Sequence, residues 1–217
     1  MARGAGFSAI ATGRVSIVMP RKHPVFSSLY DLMTAPQECL GLARTRARIV
    51  SRLEGRVLEV GVGTGLNLVH YGPQATVIGI EPDPYMLRRA AKRRAAACAD
   101  VSLLAADGEA LPFPTASFDA VVATLVFCTI ADPSAAACEV RRVLRPGGAF
   151  HFIEHVRAQS RWLGWLQDAI DPVWSRLFAG CHPNRDTVDV FRRQGLRIEH
   201  FTASKRGLVI RGEAAAE

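Results

Sequence analysis

The chain has 217 residues, 49% hydrophobic and 22% charged, which suits one well-buried α/β domain and is short for two. Its net charge of +7 is nearly all arginine, with Lys22, Lys92 and Lys205 the only lysines. An acidic partner could account for that charge, but the arginine and alanine bias of a GC-rich genome accounts for it better. The five cysteines (Cys39, Cys98, Cys128, Cys138, Cys181) show no C-x-x-C or Cys/His zinc spacing. Neither a disulfide framework nor a metal site is expected from them, and a reducing, cytoplasmic setting is.

Residues 1–22 carry Arg3, Arg14, Arg21 and Lys22 and no acid. The apolar run Val15 to Val18 is too short for a signal peptide or a membrane span, so this stretch reads as a flexible basic leader or as sequence upstream of a true start at Met19. Residues 23–55 read as a helical segment, broken near Pro36, whose Leu40, Ala43, Ala47, Ile49 and Leu53 give a partly periodic apolar face. The remainder, 56–217, alternates. Strands are predicted at 56–60, 75–80, 101–106, 119–125, 149–155, 197–202 and 207–211. Helices are predicted at about 65–71, 84–98, 134–144, 161–178 and 186–194. This pattern is that of a seven-stranded, mostly parallel α/β sheet with helices on both faces. The last two strands are linked only through Lys205-Arg206-Gly207 and so form an antiparallel hairpin.

The first strand runs into Val57-Leu-Glu-Val-Gly-Val-Gly-Thr-Gly65. Glycines here let the turn press its backbone N–H groups against a ligand. A dinucleotide turn would place its last glycine at position 66, which is Leu66. Glu59 is a fixed negative charge expected to face the ligand, which suits a cation and repels a pyrophosphate. S-adenosylmethionine, an ammonium and a sulfonium without phosphate, meets that description. Glu81, ending the second strand about 20 residues on, is placed either to accept from a ribose diol or to cap the next helix, a role open to Asp83 as well. Asp107, ending the third strand, suits an adenine amino group, with Leu111 and Phe113 covering the ring; an ordinary loop acid is the alternative.

Five stretches then stand in order: Leu58-Glu-Val-Gly-x-Gly-Thr-Gly65, the acid after the second strand, Ala106-Asp-Gly-Glu-x-Leu-Pro-Phe113, Ser117-Phe-Asp-Ala-Val121 and Leu144-Arg-Pro-Gly-Gly148. Together they resemble the class I S-adenosylmethionine-dependent methyltransferases, in the branch of the ubiquinone and menaquinone biosynthesis enzymes. Residues 124–128, 152–156, 171–174 and 180–186 further resemble the thiol S-methyltransferases and the bacterial phosphatidylethanolamine N-methyltransferase-like proteins. The resemblance implies a Rossmann-like methyltransferase fold with S-adenosylmethionine as methyl donor. It implies that Glu59 and the backbone of Gly61, Gly63 and Gly65 hold the methionine moiety, that Asn67 is also cofactor-binding, and that Glu81 holds the ribose. Pro82 and Met86 would flank the adenine, Asp107 and Gly108 read its edge, and Thr124 and Leu125 line the floor near the methyl group. Animal thiol enzymes of this kind carry an N-terminal membrane anchor, for which no segment here is long enough.

The acceptor half is less determined. The candidate bases are Glu154, His155, His182 and Asp186, of which His155 ends the fifth strand on the active rim. Each also has a structural alternative, Asp186 as a helix cap above all. Trp162, Trp165 and Trp174, with Leu166, Ile170 and Leu177, form a helical stripe that either covers the acceptor or packs the helix on the sheet. Beside Arg157, Arg161 and Arg176 it could also meet a membrane surface. The run Arg88-Arg89-Lys92-Arg93-Arg94 reads as a solvated helix face, and no nucleic-acid partner is expected. The favoured reaction is methyl transfer to a small-molecule thiol. An amine or phosphatidylethanolamine-like acceptor and a quinone or phenol are the rivals. Outside the class stand an NAD-dependent oxidoreductase and a catalytically silent S-adenosylmethionine-binding regulator. The oligomeric state has no signature in the sequence.

Overall fold

A computed structural model describes residues 24–204 and 206–216; the expected leader lies outside them. Seven strands make one sheet in the order β3-β2-β1-β4-β5-β7-β6. β1 (Gly55–Val60), β2 (Ala75–Ile80), β3 (Asp100–Leu104), β4 (Phe118–Thr124) and β5 (Leu144–His155) run parallel. β6 (Leu196–Ala203) and β7 (Val209–Ala216) form the expected antiparallel hairpin, with β7 inserted beside β5. The apolar run of β1 reflects burial on both faces, as a central parallel strand requires. One core cluster gathers Phe118, Phe127, Phe150, Phe152 and Phe191, and another gathers Val57, Leu68, Tyr71, Val77 and Val122. The sheet therefore has two covered faces.

The helices are α1 (Pro24–Gln37), α2 (Ala43–Val50), α3 (Pro84–Arg94), α4 (Pro133–Val143), α5 (Arg161–Leu177) and α6 (Thr187–Arg193). α3 and α4 each begin with an aspartate cap followed by proline: Asp83 accepts from the N–H groups of Tyr85 and Met86, and Asp132 from those of Ser134 and Ala135. Several elements differ from the sequence reading: β5 begins five residues earlier than expected, α3 ends four residues earlier, and three further differences have a local cause. The break expected near Pro36 falls at a π-helical turn, Glu38–Leu42, where Gly41 has φ +120°. Pro36 sits in the last turn of α1 and removes only a terminal hydrogen bond. The helix expected at 65–71 is a single 3-10 turn, Leu68–His70, because the Asn67 side chain is tied to three neighbours. β7 runs past the expected end at 211, since Gly212 lets it press against β6 and Phe152: a Cβ there would lie 2.5 Å from the His200 carbonyl oxygen.

A pocket at the carboxyl ends of the parallel strands

β1, β4 and β2 deliver their carboxyl ends to one cavity of about 500 Å³, within the range of small-molecule sites. Gly61, Gly63, Glu81, Pro82, Met86, Asp107, Gly108, Thr124 and Leu125 all line it, so most of the residues expected to hold the donor come together. Gly61 and Gly63 adopt φ of +63° and +58°. A Cβ on Gly61 would lie 2.7 Å from Val126, whereas one on Gly63 would meet nothing closer than 3.9 Å. Gly63 thus presents open backbone to the cavity.

Glu81 accepts from the Gly63 N–H at 3.0 Å and from the Asp83 N–H at 2.9 Å. Burial pushes its carboxyl up to about 7, against the pull of those two N–H groups. Asp107 Oδ1 accepts from the Glu109 N–H at 3.1 Å. Asp83 and Glu109 also line the cavity, and among the described residues no lysine or arginine does. Four carboxylates without a lysine or arginine suit a cationic, phosphate-free ligand and oppose a pyrophosphate. The lining therefore fits S-adenosylmethionine.

Three expected contacts lie elsewhere. Glu59, expected to face the ligand, is 2% exposed and sits behind the glycine turn. It accepts from Asn67 Nδ2 at 3.0 Å, and Asn67 in turn bonds Thr124 Oγ1 (3.1 Å) and receives Arg46 Nη1 (3.1 Å). Burial holds the Glu59 carboxyl up at about 7, opposed by Tyr71, Arg46 and Asn67. Its path to the pocket runs through Asn67 and Thr124. Gly65, with φ +86°, supports the turn from below, since a Cβ would lie 3.0 Å from Ala90 Cα of α3.

The four candidate bases separate. His155 lines the pocket. Glu154 is fully buried, and its Oε1 accepts from the N–H groups of Val126 and Phe127 at 3.0 Å, so it holds the loop after β4 rather than a proton in transit. Burial raises its carboxyl to about 7. Asp186 caps α6 through the Asp189 N–H, and His182 pairs with Asp171 at 3.0 Å; neither lines the pocket. The tryptophan stripe also divides. Trp174 faces the pocket stacked on Phe178 at 4.0 Å, while Trp162 and Trp165 are each 65% exposed. Nor is the arginine run of α3 wholly solvated: Arg93 bonds Asp31 at 2.8 Å and the Thr64 carbonyl at 2.7 Å.

Two groups of lining residues escaped the sequence reading. Phe26, Tyr30, Met33 and Gln37 of α1 roof the cavity. Their spacing marks one helical face, a signal present in the sequence. Burial pushes the Tyr30 hydroxyl up to about 12 despite Arg46. The second group is Cys128 and Cys181, whose Sγ atoms lie 3.6 Å apart beside His155. Hydrogen bonding with Cys128, then contacts to His155 and Trp174, hold the Cys181 thiol below its ordinary range, while Cys128 is pushed above it. These cysteines are 53 residues apart and carry no local signal.

A family model described as a methyltransferase domain matches residues 58–152. Thiol S-methyltransferase TMT1A of Homo sapiens is 37% identical over 155 residues, covering 68% of this chain and 63% of that protein. Phosphatidylethanolamine N-methyltransferase of Cereibacter sphaeroides is 38% identical over 129 residues, covering 58% and 63%. The chain thus spans a little under two thirds of the length of these relatives. A solved S-adenosylmethionine-dependent methyltransferase from Aquifex aeolicus shares the fold, with a TM-score of 0.62 at 18% identity over 87% of this chain and 97% of that one. Among the described residues, no helix is long and apolar enough to cross a membrane.

Proposed function

From the premise that the chain belongs to the class I S-adenosylmethionine-dependent methyltransferases, we propose that it methylates a small-molecule acceptor, with a thiol as the favoured nucleophile. One observation carries the reading: an acid-lined cavity, with no arginine or lysine among the described residues that line it, also takes in Cys128, His155 and Cys181 side by side. S-adenosylmethionine, when bound, supplies an electrophilic methyl on a sulfonium leaving group.

The residues of the chain then have distinct tasks. Glu81 accepts from the ribose hydroxyls, Asp107 and the Gly108 backbone read the adenine edge, and Pro82 and Met86 pack its faces. The Gly61 and Gly63 backbone and Thr124 seat the methionine end, with Glu59 acting through Asn67. Tyr30 and Phe26 exclude water from above. The acceptor must sit about 3 Å from the methyl carbon, in line with the breaking bond. Its S–H proton leaves at the wall that holds His155, whose imidazole nitrogen can receive it. With the donor bound, a C–S bond to the acceptor would replace the sulfonium C–S bond, whose electron pair would stay on the departing sulfur.

The test is a side-by-side screen of thiols, amines and phenols with labelled methyl donor. Thiol turnover is expected to exceed the others; turnover of an amine or a phenol alone would overturn the thiol assignment. Calorimetry should show S-adenosylhomocysteine binding and no comparable NADH binding, and the reverse preference would point to the oxidoreductase. The five free cysteines suit a reducing, cytoplasmic setting. The outward Trp162, Trp165 and Leu177 beside Arg161 offer a face for peripheral contact with an anionic lipid surface. Flotation with anionic vesicles at low salt tests that contact, and protein left at the bottom of the gradient rules it out.

A further inference from the structure

We propose that Cys128, His155 and Cys181 form a three-ligand site for a thiophilic divalent metal, Zn²⁺ by preference, whose open fourth position receives the acceptor thiol. The ligand atoms of the three side chains all lie within 4.8 Å of one another, and the two sulfurs are 3.6 Å apart. Tetrahedral zinc with Zn–S bonds of about 2.3 Å and a Zn–N bond of about 2.0 Å requires sulfurs about 3.8 Å apart, close to the separation present, and an imidazole nitrogen about 3.5 Å from each, which the His155 ring reaches by a shift of up to about an ångström. Two thiolates and one imidazole are a donor set that selects zinc over magnesium or calcium.

The site is built rather than incidental, because each ligand is fixed by the backbone of a different element. Glu154 holds the loop that carries Cys128 through the Val126 and Phe127 N–H groups. The His182 N–H donates to the Cys128 carbonyl at 2.7 Å, locking the Cys181 segment onto that loop. Arg185 Nη1 adds a bond to the Phe127 carbonyl at 2.7 Å. His155 ends β5, paired with Val209 of β7. All three ligands line the pocket, so an ion held between them is reached from the cavity. Three protein ligands with one exchangeable position is the arrangement of a catalytic zinc site.

This inference rests on the thiol reading and deepens it. An acceptor thiol displaces water from the ion and loses its proton to solvent on coordination. A lone pair of the coordinated sulfur then forms the bond to the methyl carbon, and the sulfonium C–S pair departs with its sulfur. The ion's charge is unchanged, and the product thioether, a poorer ligand, leaves. With the ion bound, His155 is a ligand; in the metal-free protein its ring is free to act as the base.

The experiment uses the full chain, reduced and metal-stripped under anaerobic conditions and titrated with Co²⁺ and Zn²⁺. One equivalent of Co²⁺ is expected to give tetrahedral d–d bands and a thiolate-to-metal charge-transfer band, and a small thiol should shift them. Cys181→Ser and His155→Ala should weaken binding at least tenfold, whereas Cys39→Ser and Cys98→Ser, at exposed positions, should not. Retained S-adenosylhomocysteine binding by Cys181→Ser shows that the variant is folded. Failure of the wild type to bind one equivalent overturns the proposal, as does wild-type affinity in Cys181→Ser. Thiol turnover undiminished in the metal-stripped protein overturns it while leaving the thiol reading intact. Metal bound at the triad without any thiol methylation overturns the acceptor role given to the ion, and the thiol reading with it.

Discussion

Glu81 stands at the ligand edge of the pocket with its two oxygens on the Gly63 and Asp83 N–H groups. Its folded pKa of about 7 lies above the ordinary 4.5, so between those values the unfolded chain is ionised while the folded chain keeps the proton. Stability of the empty protein therefore falls as pH rises across that window and levels off above about 7. Glu59, shifted the same way by burial, adds to the fall. On the proposed assignment of Glu81 to the ribose, a diol would donate to the charged carboxylate, so S-adenosylhomocysteine affinity should rise as pH passes through about 7. Calorimetry across pH checks this: Glu81→Gln should flatten the rise and cost about tenfold in affinity above it. The glycines make a paired test. Gly65→Ala combines a positive φ with a Cβ 3.0 Å from Ala90 and should lose about 2–4 kcal/mol in urea unfolding. Gly63→Ala pays only for its φ, about 1–2 kcal/mol, and should harm ligand binding more than stability.

At the scale of elements, α5 shows how one helix serves two surfaces. Its buried Gln167 accepts from the Ala158 N–H at 2.8 Å and donates to the carbonyls of Val156 (3.1 Å) and Pro183 (2.8 Å). That side chain pins α5 to the end of β5 and to the segment bearing Cys181. Gln167→Ala should cost about 2 kcal/mol, since it orphans buried backbone groups. It should also lower kcat/KM for the acceptor while leaving S-adenosylhomocysteine affinity within about twofold. Equal loss in both would show that the two halves of the pocket are not separable. The tryptophans of this helix were legible as a stripe. Which of them faced inward was not, because periodicity gives a face but not what packs against it.

Across the molecule, α1 is joined to the sheet by Asp31, which takes Arg93 at 2.8 Å and the Thr64 hydroxyl at 2.7 Å. Burial would raise the Asp31 carboxyl, but Arg93 and Thr64 outweigh it and hold it below its ordinary 3.8. The clamp is therefore whole above that value and is lost as pH falls through the lower folded pKa. Because α1 brings Tyr30 and Phe26 over the cavity, Asp31→Ala should speed S-adenosylhomocysteine release severalfold in stopped-flow measurements. The same variant should expose α1 to protease before the sheet unfolds. A release rate equal to wild type would mean that the roof is held by packing alone.

The order of strands and helices, the antiparallel hairpin and the acids Glu81 and Asp107 at the pocket were readable from the chain itself. They follow from local periodicity, from caps such as Asp132-Pro133, and from glycines and carboxylates at strand ends, all short-range signals. Glu59 was read as a ligand contact and Glu154 as one candidate base, because a sequence shows that an acid is near a strand end but not which way it turns; for Asp186 the helix cap was already the stronger alternative. Only the tertiary structure turned Glu59 onto Asn67, committed Glu154 to backbone N–H groups, and folded α1 over the pocket. It alone brought Cys128, His155 and Cys181 within 4.8 Å. Contacts between residues that far apart in the chain depend on how the crossovers pack, and no local pattern encodes that.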